Sequence, residues 1–136
     1  MEIHLKRKNK AFHYEATTPA NITVNIDANT EIGGEGKGAR PMELVLMGLG
    51  GCASIDLAMI LKKQKQDLTD YEVQISATRN DNVAKNFNSI HLHFLVWGNI
   101  AAPQLEKAIE LTVTKYCSVI LSLSNEINIT TSYDIK

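Results

Sequence analysis

The sequence predicts an α+β fold in the order β-β-β-α-β-β-α-β, with mainly antiparallel sheet and one long buried central helix. Three observations predict it. Apolar and polar residues alternate at period two in several separate stretches, the mark of half-buried strands. An almost uninterrupted apolar run follows Pro41, and a second proline, Pro103, opens a stretch whose apolar residues recur at helical spacing.

The first two strands are expected over residues 2–7 and 11–17, around a turn at Asn9-Lys10, with Ile22, Val24 and Ile26 alternating as a third. The segment ANTEIGGEGKGAR comes next, with four glycines between positions 33 and 38, and its composition is that of a mobile loop. Pro41 suits a first helical turn, and MELVLMGLGGCASIDLAMILKKQKQ continues the helix to a lysine-rich end near Lys65 that complements the helix dipole. Between Met42 and Leu61 apolar residues cover nearly every face, so protein must enclose this helix all round. Glycines 48, 50 and 51 each weaken a helix, and their clustering points to close approach by another backbone. A tightly intertwined homodimer, with a second copy of this helix as neighbour, is expected in preference to a larger monomeric sheet-and-helix sandwich.

YEVQISATR and FNSIHLHFLVWG alternate at period two and are joined by NDNVAKN, so they form a hairpin. PQLEKAIELTVTKYC is the second helix, with Leu105, Ala108, Ile109, Leu111 (or Thr112) and Val113 on one stripe. INITTSYDI closes the chain as a strand.

A chain of 136 residues with 44% apolar content suits one domain spanning 1–136. With 14 basic against 15 acidic residues, a net charge of −1 excludes a general attraction for nucleic acid or anionic membrane. The N-terminus lacks the apolar region of a signal peptide, and no stretch reaches the ~20 apolar residues of a membrane span, so a cytoplasmic protein is expected. Two cysteines in a reducing compartment stay as thiols: either two buried small hydrophobes or a transient redox pair.

Cys52 lies within the apolar helix, with Gly50 and Gly51 opening access on its N-terminal side. A thiol becomes a nucleophile as thiolate, which needs a cation, a helix N-terminus or another donor nearby, and this helix supplies none locally. Asp56 is one turn on and would raise the thiol pKa unless paired with a cation, or else is a buried carboxylate bonded to backbone or a partner subunit. The candidate cations are Arg7, Lys6 and Lys8 on the first strand and Arg40 at the end of the glycine loop. Cys117 ends the second helix, and only the tertiary fold can bring it to Cys52.

The segment GARPMELVLMGLGGCA, from Gly38 to Ala53, resembles the signature of the OsmC/Ohr family of osmotically inducible and organic hydroperoxide resistance proteins. KYCSVILSLSNEI is similar in context and separation to that family's second thiol, and the element order fits as well. The resemblance implies an intertwined dimer with two active sites at the subunit interface, reducing organic hydroperoxides through a cysteine pair. Carried over by position, Cys52 is the peroxidatic thiol and Cys117 the resolving one; an external dithiol resets the enzyme, and no cofactor is implied.

Two positions depart from the peroxidase branch. That branch has a glutamate immediately after the proline, where this chain has Met42, with Glu43 one residue and about 100° of helix further on. Glu43 is therefore either the family's acid displaced or an N-terminal acid stabilising the helix dipole. The branch also carries a thiolate-holding arginine near the first hairpin; Arg7 lies in that region, without the glycine-rich turn. In these features the chain looks closer to the less characterised OsmC-like branch. The competing reading is a non-catalytic binding module holding a small apolar or thiol-reactive ligand in a dimer-interface pocket, which Met42 favours.

Other constellations are weaker. His91 and His93 project from one strand face and could chelate a metal with His4 or His13, but the opposite face is apolar and a solvated polar face is preferred, so no metal site is expected. The glycine loop lacks a Gly-Lys-Ser/Thr sequel and suits closure over an apolar pocket better than phosphate binding, with Arg40 available as an anion contact. KRKNK reads as a solvated hairpin turn.

Overall fold

The computed structural model describes residues 1–136 and has the α+β architecture. The chain divides into two compact units, Met1–Met47 and Gly48–Lys136.

In the first unit, β1 (His4–Arg7), β2 (Tyr14–Thr17) and β3 (Thr23–Ile26) form an antiparallel meander. The strands are shorter than the alternation predicts because the turn takes more chain. Asn9 Oδ1 accepts from the amides of Ala11 at 3.0 Å and His13 at 3.2 Å, which draws residues 11–13 into the turn.

The glycine-rich segment, expected to be mobile, is tied down. Asp27 is 1% exposed, and its carboxylate accepts from the amides of Ala28 at 2.8 Å and of Glu35 and Lys37 at 3.1 Å each. The Lys37 amide contributes most to holding this carboxyl below its ordinary pKa, outweighing burial. Glycine is required where the loop folds back: a Cβ at Gly34 would lie 1.9 Å from the Ala28 carbonyl oxygen. A single turn of 3₁₀ helix, Thr30–Ile32, is capped by Asn29 within this loop.

Helix α1 (Pro41–Lys63) starts in the first unit and continues into the second. Its most apolar window has a mean hydropathy of 2.0, so by length and composition it is long enough to cross a membrane, which corrects the expectation from sequence. Leu49, Ala53, Leu57 and Leu61 nonetheless have no exposure, as in a core helix. Within one chain the helix is not enclosed all round, as the expectation of a second copy requires: Ile55 is 62% and Met59 53% exposed.

In the second unit β4 (Asp67–Arg79), β5 (Phe87–Asn99) and β6 (Asn128–Ile135) form a sheet with β5 central. β4 pairs antiparallel with β5, and β6 pairs parallel to it. β4 begins earlier than YEVQISATR because Asp67 and Leu68 pair with Asn99 and Gly98 beyond a register shift. Ile90, Leu92, Phe94 and Val96 bury one face of β5, and their period of two is the one read from sequence.

The second helix departs most from expectation. α2 (Ala102–Leu111) buries Leu105, Ala108 and Ile109, and the stripe continues through Thr112, not Leu111. There the α-helix stops. Thr112 and Thr114 hydroxyls bond back to the carbonyls of Ala108 at 2.9 Å and Glu110 at 2.7 Å, and Thr112–Tyr116 forms a π turn closed by the Cys117 amide on the Thr112 carbonyl at 2.9 Å. Cys117 is extended, and a further short helix, α3 (Ser118–Ser122), follows.

Candidate active site

Cys52 and Cys117 are free thiols brought together within the second unit. Their sulfurs and an Asp56 carboxylate oxygen all lie within 4.8 Å of one another. Cys52 is partly exposed on α1, whereas Cys117 is fully buried at the joint between the π turn and α3. The joint explains this placement: a continuous α2 would carry Cys117 onward around a helix, but the extended residue after the π turn directs it inward. Gly50 leaves room for the end of the Ile75 side chain of β4, whose Cδ1 would lie 2.5 Å from a Cβ at that position.

The two thiols have opposite electrostatic environments. Burial pushes Cys52 up, but the Val119 amide, the Cys117 thiol and the Ser118 hydroxyl more than compensate, so its pKa falls below the ordinary 9.0 despite the Asp56 carboxylate. Ser118 Oγ lies 3.6 Å and Asp56 Oδ2 3.8 Å from Cys52 Sγ. For Cys117, burial outweighs the Ile120 amide and, with the neighbouring Cys52, raises the thiol to about 11. One sulfur is therefore disposed to ionise, and the other holds its proton and donates towards it.

Of these donors, only Cys117 is a candidate from sequence; the Val119 amide and the Ser118 hydroxyl are not. In place of the cation expected from Arg7, Lys6, Lys8 or Arg40, the lowering within this unit comes from neutral hydrogen-bond donors. A serine immediately after Cys117, opening SVILS, was the available signal for a new helical turn.

The other candidates lie in the first unit. The Arg7 guanidinium bonds the carbonyls of its own hairpin, Ala11 at 2.9 Å and Lys10. Glu43 accepts from the Arg40 amide at 2.8 Å and pairs with its guanidinium at 2.5 Å, which lowers the carboxyl and raises the guanidinium. Lys8 pairs with Glu15 at 3.4 Å, and Lys6 is exposed on β1.

A pocket of about 270 Å³ opens beside the thiols, lined by Asp56, Met59, Ile60, Lys63 and Gln64 of α1 and its end and by Leu111 and Tyr116 across from them. On the sheet, His91 and His93 are hydrogen-bonded more fully than a solvated face requires. His91 contacts Thr130 and Ser132 hydroxyls at 2.7 and 2.8 Å, and His93 contacts Ser132 at 2.7 Å and Asp134 at 3.4 Å.

An α+β scaffold presenting two unlike thiols, one on a long apolar helix, defines the class as a small dithiol protein. Residues 34–132 match the OsmC-like protein family, and the chain belongs to it. It is 42% identical to protein YhfA of Escherichia coli K12 over 100 residues, 73% of this chain and 75% of that one. A solved Aquifex aeolicus protein superposes with a TM-score of 0.86 at 28% identity, covering 99% of this chain and 95% of that one. An organic hydroperoxide resistance protein OsmC of Legionella pneumophila shares the fold, with a TM-score of 0.76 at 17% identity over 98% and 97% of the two chains.

Proposed function

We propose that this protein is a cytoplasmic thiol peroxidase that reduces organic hydroperoxides through Cys52 and Cys117. The observation that carries the reading is the pairing of a donor-stabilised sulfur with a buried, proton-holding one within 4.8 Å. The Cys52 thiolate attacks the terminal peroxide oxygen, the O–O bond breaks, and the alkoxide leaves as alcohol after taking a proton. Cys52 sulfenic acid then condenses with the Cys117 thiol, forming a disulfide and releasing water. An external dithiol returns the pair to thiols by exchange.

By resemblance, Arg7 would hold the thiolate, with Glu43 as the family's acid displaced by one residue. In this chain Glu43 grips Arg40, which makes Arg40 the natural alternative to Arg7. A homodimer would cover the ridge of α1 on which Gly48 and Gly51 face open space and Ile55 and Met59 are exposed. Light scattering at micromolar concentration should give twice the chain mass; a stable monomer removes that part of the proposal.

The test of function is a hydroperoxide titration with mass spectrometry of the Cys52 and Cys117 peptides. One equivalent of an alkyl hydroperoxide should yield a Cys52–Cys117 disulfide and one equivalent of alcohol. Unchanged thiols after that addition would reject the mechanism. The pocket beside Asp56 favours a second reading, a binding module for a small apolar ligand, under which peroxide is not consumed.

A further inference from the structure

The geometry points to a metal site at the same dithiol: Cys52, Asp56 and Cys117 together bind one thiophilic divalent cation, such as zinc, when the thiols are reduced. The histidines, where the sequence leads to no expectation of a metal, are not the place: His91 and His93 are already engaged by Thr130, Ser132 and Asp134. The thiol cluster is different. Two sulfurs and one carboxylate oxygen lie within 4.8 Å of one another, with Asp56 Oδ2 3.8 Å from Cys52 Sγ.

A tetrahedral zinc with Zn–S near 2.3 Å and Zn–O near 2.1 Å holds its ligand atoms about 3.5–3.8 Å apart. The ligand atoms, none more than 4.8 Å apart, exceed those separations by at most about 1.3 Å. Cys52 and Asp56 stand one turn apart on one face of α1, so two of the three donors are set by a rigid helix. Two thiolates select zinc and its soft neighbours over magnesium or calcium. Three protein ligands leave the fourth coordination position open.

A second observation supports a cation here. Asp56 has no ion-pair partner in the chain, and its Oδ2 faces Cys52 Sγ at 3.8 Å. A bound cation gives this carboxylate a counter-charge and bridges it to both sulfurs.

Binding converts two thiols and one M²⁺ into a metal dithiolate with release of two protons. The site itself depends only on free thiols. Where it meets the peroxidase reading, metal and peroxide compete for Cys52: a hydroperoxide and two protons convert the dithiolate into disulfide, free M²⁺, alcohol and water.

The test is an anaerobic Co²⁺ titration of the full chain, reduced with a phosphine, followed by Zn²⁺ competition. A sulfur-to-cobalt charge-transfer band should saturate at one Co²⁺ per chain, disappear on adding Zn²⁺, and be absent from disulfide-oxidised protein. Asp56→Asn should keep the band and weaken affinity by at least about tenfold, as loss of a ligating or ligand-orienting group does. No charge-transfer band at stoichiometric Co²⁺ in reduced wild type overturns the site, and so does an Asp56→Asn variant that binds as tightly as wild type. The readout contains no peroxide, so failure here leaves hydroperoxide reduction standing, and failure of turnover leaves the metal site standing.

Discussion

Two regions of the molecule hold an acidic group among backbone donors, and they do so to different ends. Asp27 in the first unit accepts from three amides at 2.8–3.1 Å and is almost completely buried. Cys52 in the second unit has looser contacts, 3.6 Å to Ser118 and 3.8 Å to Asp56, and remains partly open to solvent. Both pKa values are lowered, and in each the amide donors act against burial. A fully coordinated carboxylate ties a loop in place and is left with no chemistry to do. An incompletely coordinated sulfur, with a carboxylate opposing its ionisation, keeps its nucleophilic lone pair available.

The sharpest way to break this comparison is to remove the sulfur. Cys52→Ser should abolish hydroperoxide turnover, because a serine hydroxyl does not form the sulfenic acid on which the cycle depends. Cys117→Ser should permit a single turnover and then leave Cys52 to advance to sulfinic acid under excess peroxide, detectable as a mass gain of two oxygens. Wild-type peroxide consumption by Cys52→Ser would falsify the mechanism.

Next in size is the contrast between the thiols themselves. With Cys52 below 9.0 and Cys117 at about 11, their thiolate fractions at neutral pH differ by more than about a hundredfold. Alkylation followed against pH, with the sites resolved by peptide mass, should show Cys52 reacting first, by less than the thiolate ratio alone because the more basic thiolate is the stronger nucleophile. Burial of Cys117 widens the gap. Equal rates would erase the distinction between attacking and resolving sulfur.

How much of this was legible in the sequence follows from the range of the interactions involved. The alternation of Ile90, Leu92, Phe94 and Val96 and the start of α1 at Pro41 are local patterns, and the structure reproduces them. The parallel pairing of β6 with β5 leaves no local trace, because a strand has the same period in either direction. The break in the second helix depends on where two threonine hydroxyls bond, a choice that helix propensity does not encode. Asp27 carries no local signature of its role, because its donors lie up to ten residues ahead in a glycine-rich segment. At the candidate site, Cys52 and Cys117 could be singled out, but the further donors are the Ser118 hydroxyl and the Val119 amide, which become available only once the π turn has ended α2.

The structural half of the comparison can be tested with Asp27→Asn, which replaces one accepting oxygen by a donor facing backbone amides. Faster hydrogen exchange at the Glu35 and Lys37 amides is expected, together with a lower Tm at pH 7. The sign of the pH dependence follows from the depressed pKa. The carboxylate contributes stability above its unfolded pKa, and this is lost as pH falls through the folded value. The Tm difference between variant and wild type should therefore be full at neutral pH and shrink as pH drops below about 4. A difference independent of pH would mean that the charge of Asp27 is not what holds the loop.

The smallest expected effect is also the most specific to the reactive half. Asp56 raises the Cys52 pKa through its charge, against the donors that lower it. Asp56→Asn keeps the shape of the side chain and removes that charge, so the Cys52 alkylation midpoint should move down and its rate at pH 7 should rise severalfold. The rise is limited because a less basic thiolate is also a weaker nucleophile. A fall in rate would instead mean that the carboxylate, 3.8 Å from the sulfur, acts as the acceptor of its proton. The alkylation midpoint separates the two outcomes: a like-charge neighbour shifts it up in the wild type, whereas a proton acceptor changes the rate at a fixed thiolate fraction.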